Sequence, residues 1–226
     1  YAERDAREVA AILQRLGDVP AQNVVRLLGE NAESLRKIVL EMNARIRNRP
    51  AGEKDGSVLM VFFSGHADAS GLHLNDTTMA FDELRTMMSG SPASVRLLVI
   101  DACRSGGVTR VKGASPAQEF EINMQNRINA EGLAIITSSA AGEDSYESDQ
   151  LRASFFSHHL ANALRGAADG NRDGKVTLDE AYGYTYVQTL SSSGRTLKLQ
   201  HPTYQYDLKG KGELVLTVLA NDRDRS

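Results

Sequence analysis

One histidine and the single cysteine of this 226-residue chain each follow an apolar segment, and the two residue types together allow acyl-transfer chemistry. Cys103 follows the run Val95–Ile100, and His66 follows Ser57–Phe63. Both runs are apolar without alternation, which is typical of strands buried on both faces of a parallel sheet. Because ligands bind where the carboxyl ends of parallel strands meet, we expect imidazole and thiol to lie close together at that edge.

The chemistry available to such a pair is nucleophilic catalysis. An ordinary cysteine thiol has a pKa of about 8.5, and the thiolate is the nucleophile. His66 can act as a base toward Cys103 and then as an acid toward a leaving amine, through a thioester intermediate. No third member of a triad is identifiable from the sequence. Since most lone cysteines are inert buried residues, the joint placement of the two residues carries the prediction.

Four stretches of the chain resemble the caspase and metacaspase superfamily of cysteine proteases, including its bacterial members. The stretches are SGH at 64–66, DACRSGG at 101–107, LAIITSSAAGEDSYES at 133–148 and SFFSHHLANAL at 154–164. The last two resemble the strand, pocket loop and helix of the small-subunit part of that fold. The resemblance implies an α/β fold, a caspase-like three-layer sandwich with a mostly parallel central sheet and helices on both faces. It also implies a cysteine endopeptidase.

The resemblance implies how the site works. His66 and Cys103 match the catalytic dyad of the family. The oxyanion is held there by the backbone N–H groups of the cysteine and of the residue after the histidine, which is Ala67 here. The family usually has glycine at that second position. A positive φ at Ala67 would cost about 1 kcal/mol in strain.

Substrate preference can be predicted from two acidic residues. Caspases that cut after Asp present Gln two residues before the nucleophile and Arg after the next strand, whereas the matching positions here are Asp101 and Glu147. A carboxylate-lined pocket suits Arg or Lys, as in metacaspases. We therefore predict cleavage after basic residues. The alternative is that one of these acids only caps a turn or pairs with Arg104.

A second motif predicts a calcium site in an EF-hand-like loop at 169–180. This stretch matches the pattern D-x-[DN]-x-[DN]-G-x₅-E at every specified position. Hard oxygen ligands suit Ca²⁺, and Gly174 provides the sharp turn. The predicted ligands are Asp169, Asn171, Asp173, the Lys175 carbonyl, Thr177 directly or through water, and Glu180. The alternative is a loop that uses Asp and Gly only for turning.

Composition limits the remaining classes. A chain of 226 residues with 41% apolar content can bury one sizeable core, so we expect a single domain over 1–226. With 26 basic and 29 acidic residues, a net charge of −3 and no basic run, neither nucleic acid nor a membrane is the expected partner. A protein or peptide substrate is expected, with a regulatory protein or an upstream protease as further partners. One cysteine and no apolar run near about 18 residues favour the cytoplasm.

Periodicity and turn signals predict alternating helices and strands. Helices are expected at 1–16, 32–48, 81–88, 155–164 and 179–190. Strands are expected at 23–28, 57–63, 72–74, 95–100, 133–137, 203–206 and 213–218, the last two at an edge. The resembled family usually has a strand before the first helix, for which no residues are present here.

The long segment 104–132, with a weakly helical part at 117–128, is where the resembled family is cut on activation. Arg110, Lys112 and Arg127 are the candidate processing sites, and an uncut surface loop is the alternative. Two other function classes stay open. One is a caspase-like pseudoenzyme that serves as a calcium-binding interaction module, and the other is a cysteine hydrolase for a non-peptide acyl substrate. The bacterial relatives act in stress, cell-death or defence circuits.

Overall fold

The computed structural model of the chain describes most of its residues, namely 1–50, 56–68, 70–104, 131–140, 147–148, 153–195, 199–209 and 213–219. The helices are α1 (Ala2–Leu16), α2 (Ala32–Arg47), α3 (Phe81–Ser89), α4 (Phe155–Asn162) and α5 (Leu178–Gly194). The strands are β1 (Val58–Asp68), β2 (Gly71–Leu74), β3 (Thr77–Met79), β4 (Val95–Arg104), β5 (Glu131–Thr137), β6 (Glu147–Ser148), β7 (Ala153–Ser154), β8 (Lys175–Thr177), β9 (Thr203–Lys209) and β10 (Val215–Val218). No helix in these ranges combines the length and apolarity that crossing a bilayer requires.

Six strands form the main sheet in the order β3-β2-β1-β4-β5-β9. The pairs β1–β4 and β4–β5 are parallel, whereas β2, β3 and β9 run antiparallel to their neighbours. The predicted α/β fold with a parallel centre is therefore confirmed. α3 lies in the connection between the parallel strands β1 and β4, because parallel neighbours need a long crossover.

Helices cover both faces of the sheet, because the central strands are apolar on both sides. On one face, Leu97 and Val99 of β4 belong to a core cluster that also contains residues of α1, α4 and α5. On the other face, Leu98 and Ile100 pack in a second cluster with residues of α2 and α3. Alternation along β4 thus separates the two cores, and we call the side with α1, α4 and α5 the site face.

The helices begin and end within one residue of the predicted bounds, except at the ends of α4 and α5. Gly17 ends α1, and the Asn31 side chain caps α2 by accepting the Ser34 N–H at 2.9 Å. α4 passes into a π-helical turn, Ala163–Ala167, and α5 continues four residues beyond the predicted end, to Gly194.

One predicted strand was wrong. The segment 23–28 forms no strand; it leaves a 3-10 turn, Ala21–Asn23, and reaches Gly29, whose φ of +65° turns the chain. Two of its apolar residues instead lie in different environments. Val25 is 40% exposed, and Leu27 packs against the core under α2 and α3. The packing of the Leu27 side chain, and not strand pairing, therefore holds this segment to the domain.

Of the two tail strands, β9 lies at a sheet edge as predicted. β10 does not join the main sheet and pairs instead with β8 in a separate two-stranded sheet. The candidate cleavage residues Arg110, Lys112 and Arg127, with the weak helix at 117–128, lie outside the described residues.

Candidate active site

The parallel register of β1 and β4 aligns the two residues that the sequence selected. From the core outward, successive rows on the site face are Phe62 with Val99, Ser64 with Asp101, and His66 with Cys103. Neighbouring strands lie about 4.8 Å apart, so His66 and Cys103 occupy adjacent positions at the carboxyl edge of the sheet. The rows pass from apolar to polar to potentially reactive residues as the strands leave the core.

His66 is exposed at this edge, which leaves its imidazole accessible to a substrate. The Cys103 side chain lies outside the described part of the structure, as does that of Arg104. The backbone of both residues belongs to β4. The register therefore describes the pair at the level of the main chain.

Asp101 is buried, with 3% of its surface exposed, and it joins β4 to the start of α4. The hydroxyl groups of Ser154 and Ser157 both donate to its Oδ2 atom. Ser154 is also the N-cap of α4, where it accepts the Ser157 N–H at 2.9 Å. The positive end of the helix dipole favours a carboxylate at this place. Asp101 thus has a structural role whether or not it meets a substrate.

A second buried carboxylate, which the sequence reasoning missed, lies beside Asp101. Asp5 of α1 is 3% exposed and accepts the Ser154 N–H at 3.4 Å and the Ser64 hydroxyl at 3.5 Å. Burial raises the pKa of Asp5 to about 6; the hydrogen bond from Ser154 opposes this rise, and the nearby charge of Asp101 adds to it.

A signal for Asp5 was present in the sequence. Asp5, Val9 and Ile12 are the buried residues of α1. Their spacing places them on one face of the helix, so an acid occupies the stripe that otherwise packs on the sheet. Burying a carboxylate in an apolar stripe costs free energy of folding, and ionisable groups buried at such a cost are candidate functional residues.

On the other side of His66 lies a second histidine that the sequence left unassigned. His73 of β2 is the cross-strand partner of His66. Its Nε2 atom pairs with Asp68 Oδ2 at 2.9 Å, and the Ser70 N–H and hydroxyl donate to Asp68 Oδ1 at 2.7 and 2.6 Å. The hydrogen bonds from Ser70 and then that of His73 lower the pKa of Asp68 to about 2. A carboxylate–imidazole pair therefore borders His66.

The expected strain at Ala67 does not arise. Ala67 is 2% exposed within β1, and the described residues other than glycine that have a positive φ are Asp18, Asn75 and Arg172. Alanine therefore fits the extended backbone here without a conformational cost.

Glu147 lies near the buried acids in its backbone position. It pairs with Ser154 between β6 and β7, and the Ser154 hydroxyl donates to Asp101. The Glu147 side chain lies outside the described part of the structure. Its predicted role in binding a basic side chain stays a prediction.

The predicted calcium loop has the backbone of an EF-hand-like turn. Arg172 and Gly174 have φ values of +61° and +79°. The Asp169 carboxylate accepts the N–H groups of Asp173 and Gly174 at 3.2 and 3.1 Å, and Asn171 Oδ1 accepts that of Asp173 at 2.9 Å. Asp173 Oδ1 in turn accepts the Lys175 N–H at 2.9 Å, so three oxygen-bearing side chains bond to the backbone of one turn, and oxygen donors are what Ca²⁺ takes.

Two further features frame this loop. β8 pairs with β10, and the Gly174 carbonyl accepts the Leu219 N–H at 2.7 Å, so β10 and the residue after it are bonded to the end of the loop. Glu180 forms a capping box with Thr177 at the start of α5. Within the described ranges, no group of three or more His, Cys, Asp or Glu side chains is arranged to hold a metal ion. The loop has oxygen donors of the kind that calcium takes, but they are not gathered around one point, and Glu180 would have to exchange its capping bonds for the ion.

Similarity to solved structures shows the fold. The insect caspase-1 of Spodoptera frugiperda matches with a TM-score of 0.62 at 16% identity, over 96% of this chain and 81% of that one. A structure of pro-sf-caspase-1 matches with a TM-score of 0.56 at 13% identity, over 94% and 80%. No curated protein matches this sequence.

The sequence also matches a family model. The model describes the caspase domain, peptidase family C14, and it covers residues 1–208. That family consists of cysteine peptidases, and the match spans nearly all of the residues on which the site is built. The chain therefore belongs to the caspase domain family.

Proposed function

We propose that this protein is a cysteine endopeptidase that cuts proteins after Arg or Lys, with Cys103 as nucleophile and His66 as general base. The observation that carries the proposal is the in-register placement of His66 and Cys103 at the carboxyl edge of a caspase-domain sheet. A protease acts on protein substrates, so the partner is a peptide segment that can reach this edge.

The reaction begins when His66 takes the thiol proton and the Cys103 sulfur attacks the carbonyl carbon of the substrate. The carbonyl oxygen becomes an oxyanion, which the N–H groups of Cys103 and Ala67 stabilise. As this intermediate collapses, the carbon–nitrogen bond breaks and the amine leaves with the proton from His66. His66 then deprotonates a water molecule, which attacks the thioester and releases the acid and the thiol.

Specificity for a basic residue is supported by the charge beneath this edge. Asp101 lies one row deeper than Cys103 in β4, and Asp5 of α1 is linked to it through Ser154 and also accepts the Ser64 hydroxyl. An arginine side chain that enters beside Cys103 would meet two carboxylates, whereas an aspartate side chain would meet like charge. A charge-assisted hydrogen bond to such a carboxylate contributes about 1.5–3 kcal/mol. Glu147 is the third acid assigned to this subsite.

Calcium binding is proposed for the loop at 169–180. Asp169, Asn171, Asp173, the Lys175 carbonyl, Thr177 and Glu180 would hold the ion. The bound ion would neutralise the repulsion among the acidic side chains and stabilise the segments before and after the loop. We further propose activation by a cut within 104–132, made by the enzyme itself or by an upstream protease, and a cytoplasmic location.

The test of this function is a panel of fluorogenic peptides that differ only in the residue before the cut, run with calcium. The parent should cleave after Arg at least as fast as after Lys, and more than about 100-fold faster than after Asp, because two parallel hydrogen bonds from a guanidinium suit a carboxylate. Cys103→Ala should abolish cleavage, and Asp101→Ala should reduce the Arg preference. Faster cleavage after Asp than after Arg would refute the specificity. Cleavage that survives in Cys103→Ala would refute the mechanism.

A further inference from the structure

The end of β4 extends past its backbone pairing with β5. That pairing ends at Ile100 and Thr137, whereas pairing with β1 continues to Arg104. Ser138, the next residue after β5, takes over on this side. Its N–H donates to the Ile100 carbonyl at 2.9 Å, and its hydroxyl oxygen accepts the Ala102 N–H at 3.3 Å. A side-chain oxygen thus provides the acceptor that the next carbonyl of a parallel ladder would supply.

Gln200 holds Ser138 in place through a hydrogen bond. Its Nε2 atom donates to the Ser138 carbonyl at 2.8 Å, and its own N–H donates to the Ser193 hydroxyl at 3.1 Å. Gln200 and Ser193 have no exposed surface, and Ser138 is 1% exposed. Hydrogen bonds in such a dry environment are strong, and a buried polar group that loses its partner is costly. The three residues therefore form a rigid strut between the end of α5 and the end of β4.

Packing alone does not explain an amide at position 200. A methionine of similar length would fill the same space without needing hydrogen-bond partners, and buried polar groups cost free energy unless they are paired. The amide adds a directional hydrogen bond to the Ser138 carbonyl. It fixes Ser138, which in turn fixes the peptide unit that contains the Ala102 N–H.

The next peptide unit contains the N–H of Cys103, the expected oxyanion donor. Because peptide units are planar, only the two backbone dihedral angles of Ala102 separate these units. We propose that Gln200 and Ser138 are positioning residues that hold the end of β4 in the geometry that acyl transfer needs, a proposal that rests on the function proposed above. A reacting group displaced by about 1 Å can lose about 100-fold in rate.

The experiment compares Gln200→Met and Ser138→Ala with the parent and with Gln205→Met, a matched control at an exposed position of β9. On the best Arg peptide, kcat should fall by about 10- to 100-fold in the two test variants, while KM changes by less than about threefold. Alkylation of Cys103 by iodoacetamide needs no oxyanion donor, so its rate should stay at the parent value. Gln205→Met should match the parent in all three quantities.

Parent-like kcat in both test variants would overturn the proposal. It would also be overturned if iodoacetamide labelling changed in proportion to kcat, since that would indicate general loosening. If Gln200→Met does not fold, Ser138→Ala decides, because it removes a single buried oxygen. If the parent neither cleaves peptides nor is labelled by a peptidyl electrophile, the proposed function fails instead. The strut is then tested by hydrogen exchange at the Ala102 amide, which should be faster in Ser138→Ala, and an unchanged rate would refute it.

Discussion

Asp5→Asn should stabilise the protein and impair it as an enzyme. Burial raises the pKa of Asp5 from 3.8 to about 6. One pKa unit corresponds to about 1.4 kcal/mol, so the ionised carboxylate costs about 3 kcal/mol of folding free energy at pH 7. Asparagine has the same shape and keeps an oxygen that can accept from Ser154 and Ser64. It also removes the charge that faces Asp101.

The effect has a defined pH window. A carboxyl whose pKa is higher in the folded state binds its proton more tightly there, so its contribution to stability is fully present below pH 3.8. It is lost as the pH rises through about 6. The free energy of unfolding of Asp5→Asn should therefore approach that of the parent near pH 3.8 and exceed it by up to about 3 kcal/mol at pH 7. For a domain of this size the melting temperature would rise by about 6–12 °C.

The measurement is denaturant unfolding of both proteins between pH 4 and pH 8, with Glu3→Gln as the control. Glu3 lies on the same helix, but its side chain is 54% exposed, so its loss should change little. In the peptide assay, Asp5→Asn should lower kcat/KM for the Arg substrate by about 10-fold or more. A variant that is less stable than the parent at pH 7 would refute the cost assigned to the buried charge, and a variant that is equally active on Arg would refute the assignment of Asp5 to the substrate subsite.

Three further predictions concern other parts of the molecule. Calcium should raise the melting temperature of the parent but not of Glu180→Gln, and a parent that melts at the same temperature with and without calcium would exclude the site. Intact mass after incubation with calcium should show cuts after Arg110, Lys112 or Arg127 in the parent and none in Cys103→Ala; an uncut yet active parent would make that segment an ordinary loop. Burial, and then the charge of His158, lowers the pKa of His159 to about 4. The contribution of His159 to stability is therefore present above pH 6.5 and is lost as the pH falls toward 4. His159→Gln should reduce this loss when unfolding is measured in acid.

The centre of the fold was predictable because its signals are local. Continuous apolar runs identified β1 and β4, and the structure pairs the two strands in parallel, so residues 66 and 103 lie side by side as expected. The Asn31 cap of α2 was equally readable. The segment 23–28 failed because a strand needs a free sheet edge as well as apolar residues, and local composition does not report where that edge lies.

The position of Asp5 in the apolar stripe of α1 was readable, but the polar contacts that support the site were not predictable from local pattern. Asp5, Ser154 and Asp101 are far apart in the chain, and their contact depends on α1 and α4 packing on the same face of the sheet. Gln200 lies just outside a helix, in a stretch with no periodicity to indicate burial. Its role follows only from the position of Ser138 beside the end of β4.

Covalent labelling of Cys103 is the most direct measurement of the central claim. The folded parent, supplied with calcium, is incubated with a peptidyl-arginine chloromethyl ketone, and the adduct is located by intact mass and peptide mapping. A thiolate activated by His66 should displace chloride and leave one adduct on Cys103, much more slowly in His66→Ala and not at all in Cys103→Ala. A folded parent that acquires no adduct on Cys103, or an equal labelling rate in His66→Ala, would contradict the dyad.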